Sequence, residues 1–306
     1  MFQLVQRRRI YFTFSAIVIG LGIIAMIVSY VQIGTPFRIG VDFQSGTRFE
    51  VQFQEPVTED GIREVFNDSG IANPAITSLQ GEALENAWQI RTEFMSPEEA
   101  DEIEQALDSE LAPLNQEATL VQTVSPSVGA EVTRAAFVAV LVAAGIILVY
   151  IMFAFRQVPN PFRYGASAVV AMLHDIAVTF GFIAITGLVF GWEVDALFLT
   201  AVLTVAGFSL QDTIVVFDRI RENISKYPLE DFEMLVNRSI LETIHRSLAT
   251  QLNAMFVIVA ILLFGGASIK HFIAVLLVGL LSGTYSSIFN ATPLLVAWEK
   301  RAMEAA

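Results

Sequence analysis

Residues 194–217 have the sequence VDALFLTAVLTVAGFSLQDTIVVF, in which only a few side chains are polar. A helix rises about 1.5 Å per residue, so crossing a hydrocarbon core of about 30 Å takes about 20 apolar residues. This stretch is long enough and apolar enough to do so. It therefore predicts a membrane-spanning helix, with Asp195 at its start and the carboxylate of Asp212 inside it.

Five more apolar stretches of comparable length occur in the chain, and together they predict a membrane all-α bundle of six helices. The five cover approximately residues 10–31, 134–153, 164–188, 245–264 and 270–296. The first follows three arginines at positions 7–9, as in a signal peptide. Its apolar part is too long for a cleaved signal and no small-x-small site follows it, so we expect an uncleaved anchor.

The composition supports this class. Hydrophobic residues make up 54% of the 306 residues, charged residues only 16%, and the mean hydropathy is +0.59. A soluble domain would carry about 25% charged residues. Cysteine is absent, which excludes a disulfide scaffold and a thiolate metal site.

The net charge of −13 comes from one part of the chain. Residues 35–133 hold 19 acidic and four basic side chains, whereas the remainder holds 12 acidic and 14 basic ones. Lysine and arginine concentrate on one side of the predicted spans, which predicts cytoplasmic termini and an external position for residues 35–133 in a bacterial inner membrane. A basic footprint for nucleic acid is missing, so we expect no nucleic-acid partner.

The acidic segment alternates strand and helix patterns. Its second helix opens with Ser96-Pro97-Glu98-Glu99, which combines a capping residue, a proline in the first turn and early acidic residues. The order β-α-β-β-α-β predicts an inserted α+β ferredoxin-like domain. A solvated acidic surface is favoured there over a specific cation site. Strand patterns occur at 38–53, 75–80, 88–94 and 118–124, and helical patterns at 58–67 and 96–111.

A charged segment joins the fourth and fifth spans. Residues 218–244 combine mixed charge with apolar positions every three to five residues, which is typical of a helix on the membrane surface. A docking surface for a partner remains the alternative. The predicted parts of the chain are the N-terminus with the first span (1–34), the periplasmic ferredoxin-like domain (35–133), spans two to four (134–217), the cytoplasmic amphipathic segment (218–244), and spans five and six with the cytoplasmic C-terminus (245–306).

Among the ionisable side chains inside the predicted spans, three stand out: Asp175, Asp212 and Arg246. A charge at the bilayer centre costs on the order of 2.5 to 3.5 kcal/mol on insertion scales, so each is a functional candidate. The rise per residue places Asp175 roughly 16 Å and Asp212 roughly 8 Å from the predicted cytoplasmic boundary. If their helices are neighbours, the three groups form a ladder suited to proton coupling, because an arginine that approaches or leaves a carboxylate changes its proton affinity.

Polar side chains beside these groups are candidates for supporting roles. Arg246, Thr250 and Asn253 share one helical face, which predicts a polar stripe turned toward the bundle. Arg246 could instead be an ordinary basic residue at the end of the span whose side chain extends to the lipid headgroups. Asp212 could instead have a purely structural role in a hydrogen-bonded site. The supporting candidates are His174, Ser209, Gln211, Thr213, Thr250 and Asn253.

The last span carries Gly279 and Gly283, followed by further small residues. Small residues four positions apart let two membrane helices approach closely. We therefore predict that this face packs against a neighbouring helix, and that Pro293 kinks the end of the span.

Four motifs in the chain resemble those of the SecF family of the bacterial SecDF translocase. Residues 207–223, GFSLQDTIVVFDRIREN, look like the family signature of the fourth span. His174-Asp175 falls at its place in the third span, and residues 283–289, GTYSSIF, match the motif of the sixth. Residues 40–47, GVDFQSGT, resemble the glycine-rich motif outside the first span, which gives the candidates Gly40, Asp42, Gly46 and Thr47.

The resemblance implies one half of an RND-type transporter that works with a SecD subunit, the SecYEG channel with its small accessory subunit, and a translocating unfolded polypeptide in the lipid bilayer. It implies that proton-motive force drives late steps of export, with no cofactor other than protons and no covalent chemistry. Proton coupling would fall on Asp212 and Arg246, with Asp175 in support. Two departures from the family pattern, Gln211 for asparagine and Ser45 for glycine, remove no ionisable group.

Three other functions remain open. An intramembrane aspartyl protease would use Asp175 and Asp212, but these lie about 8 Å apart in depth and a Gly-x-Gly-Asp motif is missing. Half of an RND-family exporter for small molecules or lipids is a closer alternative, although such exporters usually carry two six-span halves. A scaffold without coupling is the third, and proton flux in reconstituted vesicles would distinguish it.

Overall fold

The computed structural model describes residues 3–71, 74–79 and 85–304. The chain forms two compact units, each described by itself below. The helical unit comprises Met1–Arg38, Val138–Trp192 and Leu197–Ala306, and the α+β unit comprises Ile39–Phe137 and Glu193–Ala196. The short connection Glu193–Ala196 thus belongs with the α+β unit, although it is distant from the rest of that unit in sequence.

Ten α-helices and four strands are found in the described chain. In order they are α1 (Arg8–Ile33), α2 (Val41–Gln44), β1 (Gly46–Gln52), α3 (Glu59–Asp68), β2 (Ala75–Ser78), β3 (Ala87–Thr92), α4 (Pro97–Ala106), β4 (Leu120–Val124), α5 (Pro126–Ala154), α6 (Pro161–Phe190), α7 (Ala196–Lys226), α8 (Phe232–Phe264), α9 (Ala267–Ser286) and α10 (Thr292–Glu304). A π turn, Leu107–Leu111, extends α4, and a second, Ser287–Ala291, joins α9 to α10.

Six helical segments of the described chain are long and apolar enough to cross a membrane, which confirms the number predicted from the apolar stretches. The last of them runs from α9 through the π turn into α10. Pro293, which has no backbone N–H to donate, follows this widened turn directly. The six segments are Val5–Ile33, Pro126–Ala154, Pro161–Phe190, Ala196–Lys226, Phe232–Phe264 and Ile269–Arg301.

Glycines set the closest approaches within the helical unit. A Cβ added to Gly22 of α1 would lie 2.8 Å from the Cα of Gly181 on α6. On α9, a Cβ added to Gly283 would lie 3.3 Å from the Cα of Ser209 on α7, and Gly279 meets the same helix one turn earlier. Small residues at such crossings let helix backbones approach. In this way α9 packs directly on α7.

Residues 218–244 do not form the separate surface helix that their pattern suggested. Within the described chain, α7 continues to Lys226 and α8 begins at Phe232. Leu235 and Ile240 of α8 are buried in the same core as Phe217. The apolar spacing therefore reflects packing against other helices rather than against lipid, which corrects the expected position on the membrane surface.

One antiparallel sheet of four strands organises the α+β unit, with the strand order β2-β3-β1-β4. In the central strand β1, Phe49 pairs with Ile90 of β3 on one side and with Val121 of β4 on the other. Phe49 also meets Phe66 of α3 edge-on, with ring centroids 5.4 Å apart, in the core of the unit. From β1 onward the elements follow the order β-α-β-β-α-β. The last residue of the predicted strand 75–80 lies outside the described residues.

The beginning of the predicted strand 38–53 is helical instead. The short helix α2 occupies Val41–Gln44, and β1 starts only at Gly46. Gly46 has a φ of 131°, and a Cβ there would lie 2.6 Å from the carbonyl oxygen of Thr92. Only glycine accommodates both constraints, so the chain makes a tight turn here before the alternating pattern of β1 begins.

Candidate functional site

Asp212 lies on α7 with only 2% of its surface exposed. Its Oδ2 accepts a hydrogen bond of 2.6 Å from Nε2 of Gln251 on α8, which is equally buried. Among the described side chains, none that is cationic forms an ion pair with Asp212. The carboxylate is thus bound by a neutral amide inside a membrane-length helix bundle.

Hydroxyl groups complete the surroundings of Asp212. Ser209 and Thr213 are buried on the same helix, and the Thr213 hydroxyl donates to the carbonyl oxygen of Ser209 at 3.0 Å. The hydroxyl of Ser209 itself has no hydrogen-bond partner in the described part of the chain, and Ser247 faces the carboxylate from α8. Because a hydroxyl can donate or accept, these groups suit both the charged and the protonated carboxyl.

Arg246 does not join this centre. Its side chain is exposed, as are those of Thr250 and Asn253. The face of α8 that turns to the interior carries Ser247 and Gln251 instead. The expected inward stripe is therefore corrected: Arg246, Thr250 and Asn253 point away from the bundle of this chain, because the adjacent face supplies its interior hydrogen bonds. Gln211 of α7 is exposed as well.

Asp175 forms a second centre, between α6 and α9. It is fully buried, and its two carboxylate oxygens accept hydrogen bonds of 2.6 Å from Ser282 and Ser286. His174 Nδ1 lies 3.0 Å from Oδ1 of Asp175, while His174 Nε2 is buried with no hydrogen-bond partner among the described residues. The serines and the histidine together satisfy the Asp175 carboxylate.

The two aspartates have separate partners. Asp175 is bound from α9 and Asp212 from α8, and no hydrogen bond joins the two carboxyls in the described chain. A shared proton of the aspartyl-protease kind requires the two carboxyls to touch. The structure therefore does not show the predicted ladder of neighbouring charges. It shows two separate buried centres, one on α6 and one on α7, and α9 packs against both of these helices.

The glycine-rich motif belongs to the α+β unit, where it meets the connection between α6 and α7. Oδ1 of Asp42 accepts a hydrogen bond of 2.5 Å from Gln122 of β4, and Oδ2 accepts one of 3.0 Å from the backbone N–H of Ala196. Ala196 is the first residue of α7. The N–H of Gly40 donates to the carbonyl oxygen of Val194 at 2.8 Å, and a Cβ on Gly40 would lie 3.0 Å from that oxygen.

Thr47 closes the motif at the start of β1. It is fully buried, and its hydroxyl lies 3.1 Å from the hydroxyl of Thr123 on β4. The same oxygen accepts from the N–H of Met95 at 3.4 Å. Thr47 therefore fixes the strand that follows the motif, whereas Gly40 and Asp42 contact the connection to α7.

Sequence reasoning missed four residues of the two centres: Gln251, Ser247, Ser282 and Ser286. Each lacks a charge, so a search for ionisable groups in apolar stretches passes over it. A weaker signal was present. Ser247 and Gln251, like Ser282 and Ser286, are spaced four residues apart and so occupy one helical face.

Two family models match the chain: protein export membrane protein SecD/SecF, C-terminal, over residues 103–301, and the SecD/SecF GG motif over residues 32–57. A protein translocase subunit SecF from Thermobaculum terrenum is 46% identical over 274 residues, which cover 86% of this chain and 85% of the relative. The SecF subunit from Anaerolinea thermophila is 41% identical over 304 residues, covering 98% of this chain and 94% of the relative.

A solved structure is similar over the same range. The crystal structure of SecDF, a translocon-associated membrane protein from Thermus thermophilus, matches with a TM-score of 0.80 and 30% identity. The match covers 98% of this chain but only 39% of that longer chain. The similarity therefore includes both buried centres and the glycine-rich motif.

Proposed function

The chain belongs to the SecD/SecF family of protein export membrane proteins, as a SecF-type translocase subunit, and from that premise we propose that it couples proton movement to late steps of polypeptide export. Its similarity to named SecF subunits runs over most of their length, so it is a multi-pass membrane component of transport rather than an enzyme. The alternative of an exporter half for small molecules or lipids is not favoured, because these relatives are named protein translocase subunits.

The observation that carries the proposal is the burial of Asp212, bound by the neutral amide of Gln251. A charged carboxylate at this position is costly, and a protonated one is much less so. Proton binding therefore changes how α7 is held against α8. One charge that crosses the membrane potential supplies about 2.3 kcal/mol per 100 mV, which is enough to bias a conformational equilibrium. The proton is the coupling ion, and the proposal requires no cofactor.

A SecD subunit is the partner that the outward side chains of α7 and α8 require. We call Gln211, Arg246, Thr250 and Asn253 the outward polar face; all four are exposed in this chain. A guanidinium and amides at membrane depth are unfavourable against lipid, so this face is better suited to another protein. The similar Thermus chain carries SecD and SecF together, and this chain matches only 39% of it. In the proposal Arg246 acts across that interface rather than on Asp212 within this chain.

Asp175 has a supporting role in the proposal. Ser282 and Ser286 donate to both of its oxygens, so it fixes α9 against α6. Because α9 also packs on α7 at Gly283, the position of α7 depends on this anchor. His174 supplies a further polar contact to the same carboxylate.

The glycine-rich motif offers a route from Asp212 to the α+β unit. Asp42 accepts from the first backbone N–H of α7, and the same helix carries Asp212 some four turns further on. A helix transmits axial movement along its hydrogen-bonded backbone. A shift of α7 on protonation would therefore reach the segment 40–47 through Asp42.

The remaining parts of the proposal concern placement and partners. We assign the chain to the bacterial inner membrane with both termini cytoplasmic and the α+β unit in the periplasm, in line with the lysine and arginine distribution. The ferredoxin-like assignment of that unit is supported by its element order and antiparallel sheet. The SecYEG channel, its small accessory subunit and an unfolded polypeptide are the proposed partners in export.

The test is reconstitution of the chain with its SecD partner and the channel in vesicles, with export and proton flux measured together. Asp212→Asn should abolish proton-dependent export and the accompanying flux. Asp218→Asn is the matched control, because Asp218 lies on the same helix but its side chain is 47% exposed and paired with Arg221. Full export and flux in the Asp212→Asn variant would refute the proposal.

A further inference from the structure

A wide groove lies within the helical unit, between the start of α1 and the end of α10. Its volume is about 720 Å³. Both walls belong to the ends of membrane-length segments, where hydrocarbon gives way to headgroups. The groove is lined by Arg8, Arg9, Phe12, Leu294, Ala297, Trp298, Lys300 and Arg301.

Positive charge in this groove exceeds negative charge. Arg8 and Lys300 share a single carboxylate, Glu233, at 3.2 Å and 3.3 Å respectively. Arg9 and Arg301 are exposed, and neither forms an ion pair with a carboxylate among the side chains that the structure describes, which end at Arg301. Among the described side chains, the four cations of the lining outnumber this one carboxylate, which favours an anion as the ligand.

Basic residues are common at this end of membrane helices, so their presence alone identifies no ligand. Several basic residues near the groove are paired with carboxylates, unlike Arg9 and Arg301. Arg163 of α6 binds Glu299 of α10 at 2.6 Å, and Arg219 of α7 binds Glu242 of α8 at 2.6 Å. Arg221, Lys226 and Arg238 likewise each have a carboxylate within reach. Arg7 and Arg156 at this end also form no ion pair among the described side chains, so the groove is distinguished by four cations that share one carboxylate.

The apolar part of the lining narrows the choice of anion. Phe12 and Trp298 stand beside the cations, and Trp298 is 38% exposed. A free phosphate ion would leave these aromatic surfaces uncovered, whereas a phospholipid brings a phosphate group together with a glycerol and acyl chains. Basic pockets between membrane helices bind anionic lipid headgroups, and tryptophan favours the same interfacial depth.

We propose that this groove is a binding site for an anionic phospholipid, with the phosphate between Arg9 and Arg301 and the start of the acyl chains against Phe12 and Trp298. The inference does not depend on proton coupling. It predicts that lipid stays bound when the purified protein is taken out of the membrane.

For the experiment, the chain is purified with its SecD partner and placed in nanodiscs of either phosphatidylglycerol or phosphatidylcholine. Native mass spectrometry then measures how much lipid the protein retains from each. The wild type should retain phosphatidylglycerol selectively. The double variant Arg9→Gln/Arg301→Gln should retain about 25-fold less, because each cation near an anionic headgroup contributes roughly a fivefold factor. The control Arg221→Gln/Lys226→Gln removes the same charge from paired residues and should retain lipid like the wild type.

Three outcomes would overturn the proposal. Equal loss in the control variant would mean general charge attraction without a site. Displacement of the lipid by inorganic phosphate at equal concentration would mean a site for the phosphate ion alone. Unchanged lipid retention in the double variant, together with weaker copurification of SecD, would mean that a protein covers the groove. Thermal unfolding of both double variants verifies that the fold is intact.

Discussion

Gln251 donates its side-chain amide to Oδ2 of Asp212 at 2.6 Å, across the contact between α8 and α7. Each residue is only 2% exposed, so water cannot replace the bond when it is lost. A protonated carboxyl is a weaker acceptor than a carboxylate, so proton uptake at Asp212 weakens this bond. In the proposed function, this pair is where protonation would act on helix packing.

Gln251→Met should impair both stability and coupling. Methionine retains much of the volume but leaves the buried carboxylate without its donor, and such a loss costs about 1–3 kcal/mol. We expect a lower unfolding temperature and a reduced rate of proton-driven export in reconstituted vesicles. Thr250→Val, on the exposed neighbouring face, should leave unfolding unchanged. Equal unfolding temperatures and export rates for Gln251→Met and the wild type would show that the bond has no role.

Arg246→Gln should separate stability from function. The side chain is exposed and forms no ion pair in the described part of the chain, so the unfolding temperature of the isolated subunit should not change. Export with the SecD partner present should fall to the level of Asp212→Asn, because the guanidinium acts across that interface. Arg156→Gln, at another exposed position, serves as the control. Normal export in the Arg246 variant would remove this residue from proton coupling.

Two glycines on α1 give a matched test of helix packing. A Cβ on Gly22 would lie 2.8 Å from the Cα of Gly181, whereas a Cβ on Gly20 would have no atom within 4 Å. Gly22→Ala should therefore force α1 and α6 apart and cost about 1–3 kcal/mol of stability. Gly20→Ala should be neutral or slightly stabilising, since alanine favours a helix. Thermal unfolding in detergent measures both, and equal effects would contradict this close crossing.

The six spans could be predicted from sequence because a membrane demands one property, an apolar run of sufficient length. The partner of Asp212 could not. Gln251 lies 39 positions away, and its contact depends on how far α8 is rotated about its own axis. The sequence of α8 presents two adjacent polar faces, one with Arg246 and one with Ser247 and Gln251. Only tertiary packing decides which of the two faces turns inward. The prediction that the face with Arg246 does so was wrong.

The α+β unit shows a similar division. The alternating pattern around Phe49 correctly indicated a strand, because one face of the sheet is buried. The helical turn α2 was missed, since four residues carry no recognisable periodicity. The contact of Asp42 with Ala196 joins residues 154 positions apart, and local sequence contains no information about it.

Asp42→Ala tests the link between the glycine-rich motif and α7. The variant removes the acceptor for the N–H of Ala196 and for Gln122, and the loss of a helix-capping carboxylate costs about 0.5–2 kcal/mol. We expect faster amide hydrogen exchange over residues 196–200 and less export per proton taken up. Asp60→Ala, an exposed change in α3, should affect neither. Unchanged exchange at the start of α7 would show that Asp42 does not hold it.

Ser96 and Glu99 cap α4 reciprocally, with the Ser96 N–H donating to the Glu99 carboxylate at 2.7 Å and the Glu99 N–H donating to the Ser96 hydroxyl at 3.3 Å. The backbone bond from Ser96, and then its side-chain bond, hold the pKa of Glu99 below its ordinary value of 4.5. A carboxyl whose pKa is lower in the folded state than in the unfolded state stabilises the folded state at any pH above its unfolded-state pKa. This stabilisation is lost as the pH falls through the pKa of the folded state. The protection of the α4 amides, measured relative to their intrinsic exchange rate at each pH, should therefore fall as the pH drops below 4.5, and Glu99→Gln should lose this part of the pH dependence while Glu98→Gln keeps it. Hydrogen-exchange mass spectrometry of residues 96–106 in the full-length chain measures the effect, and an unaltered pH profile in Glu99→Gln would contradict it.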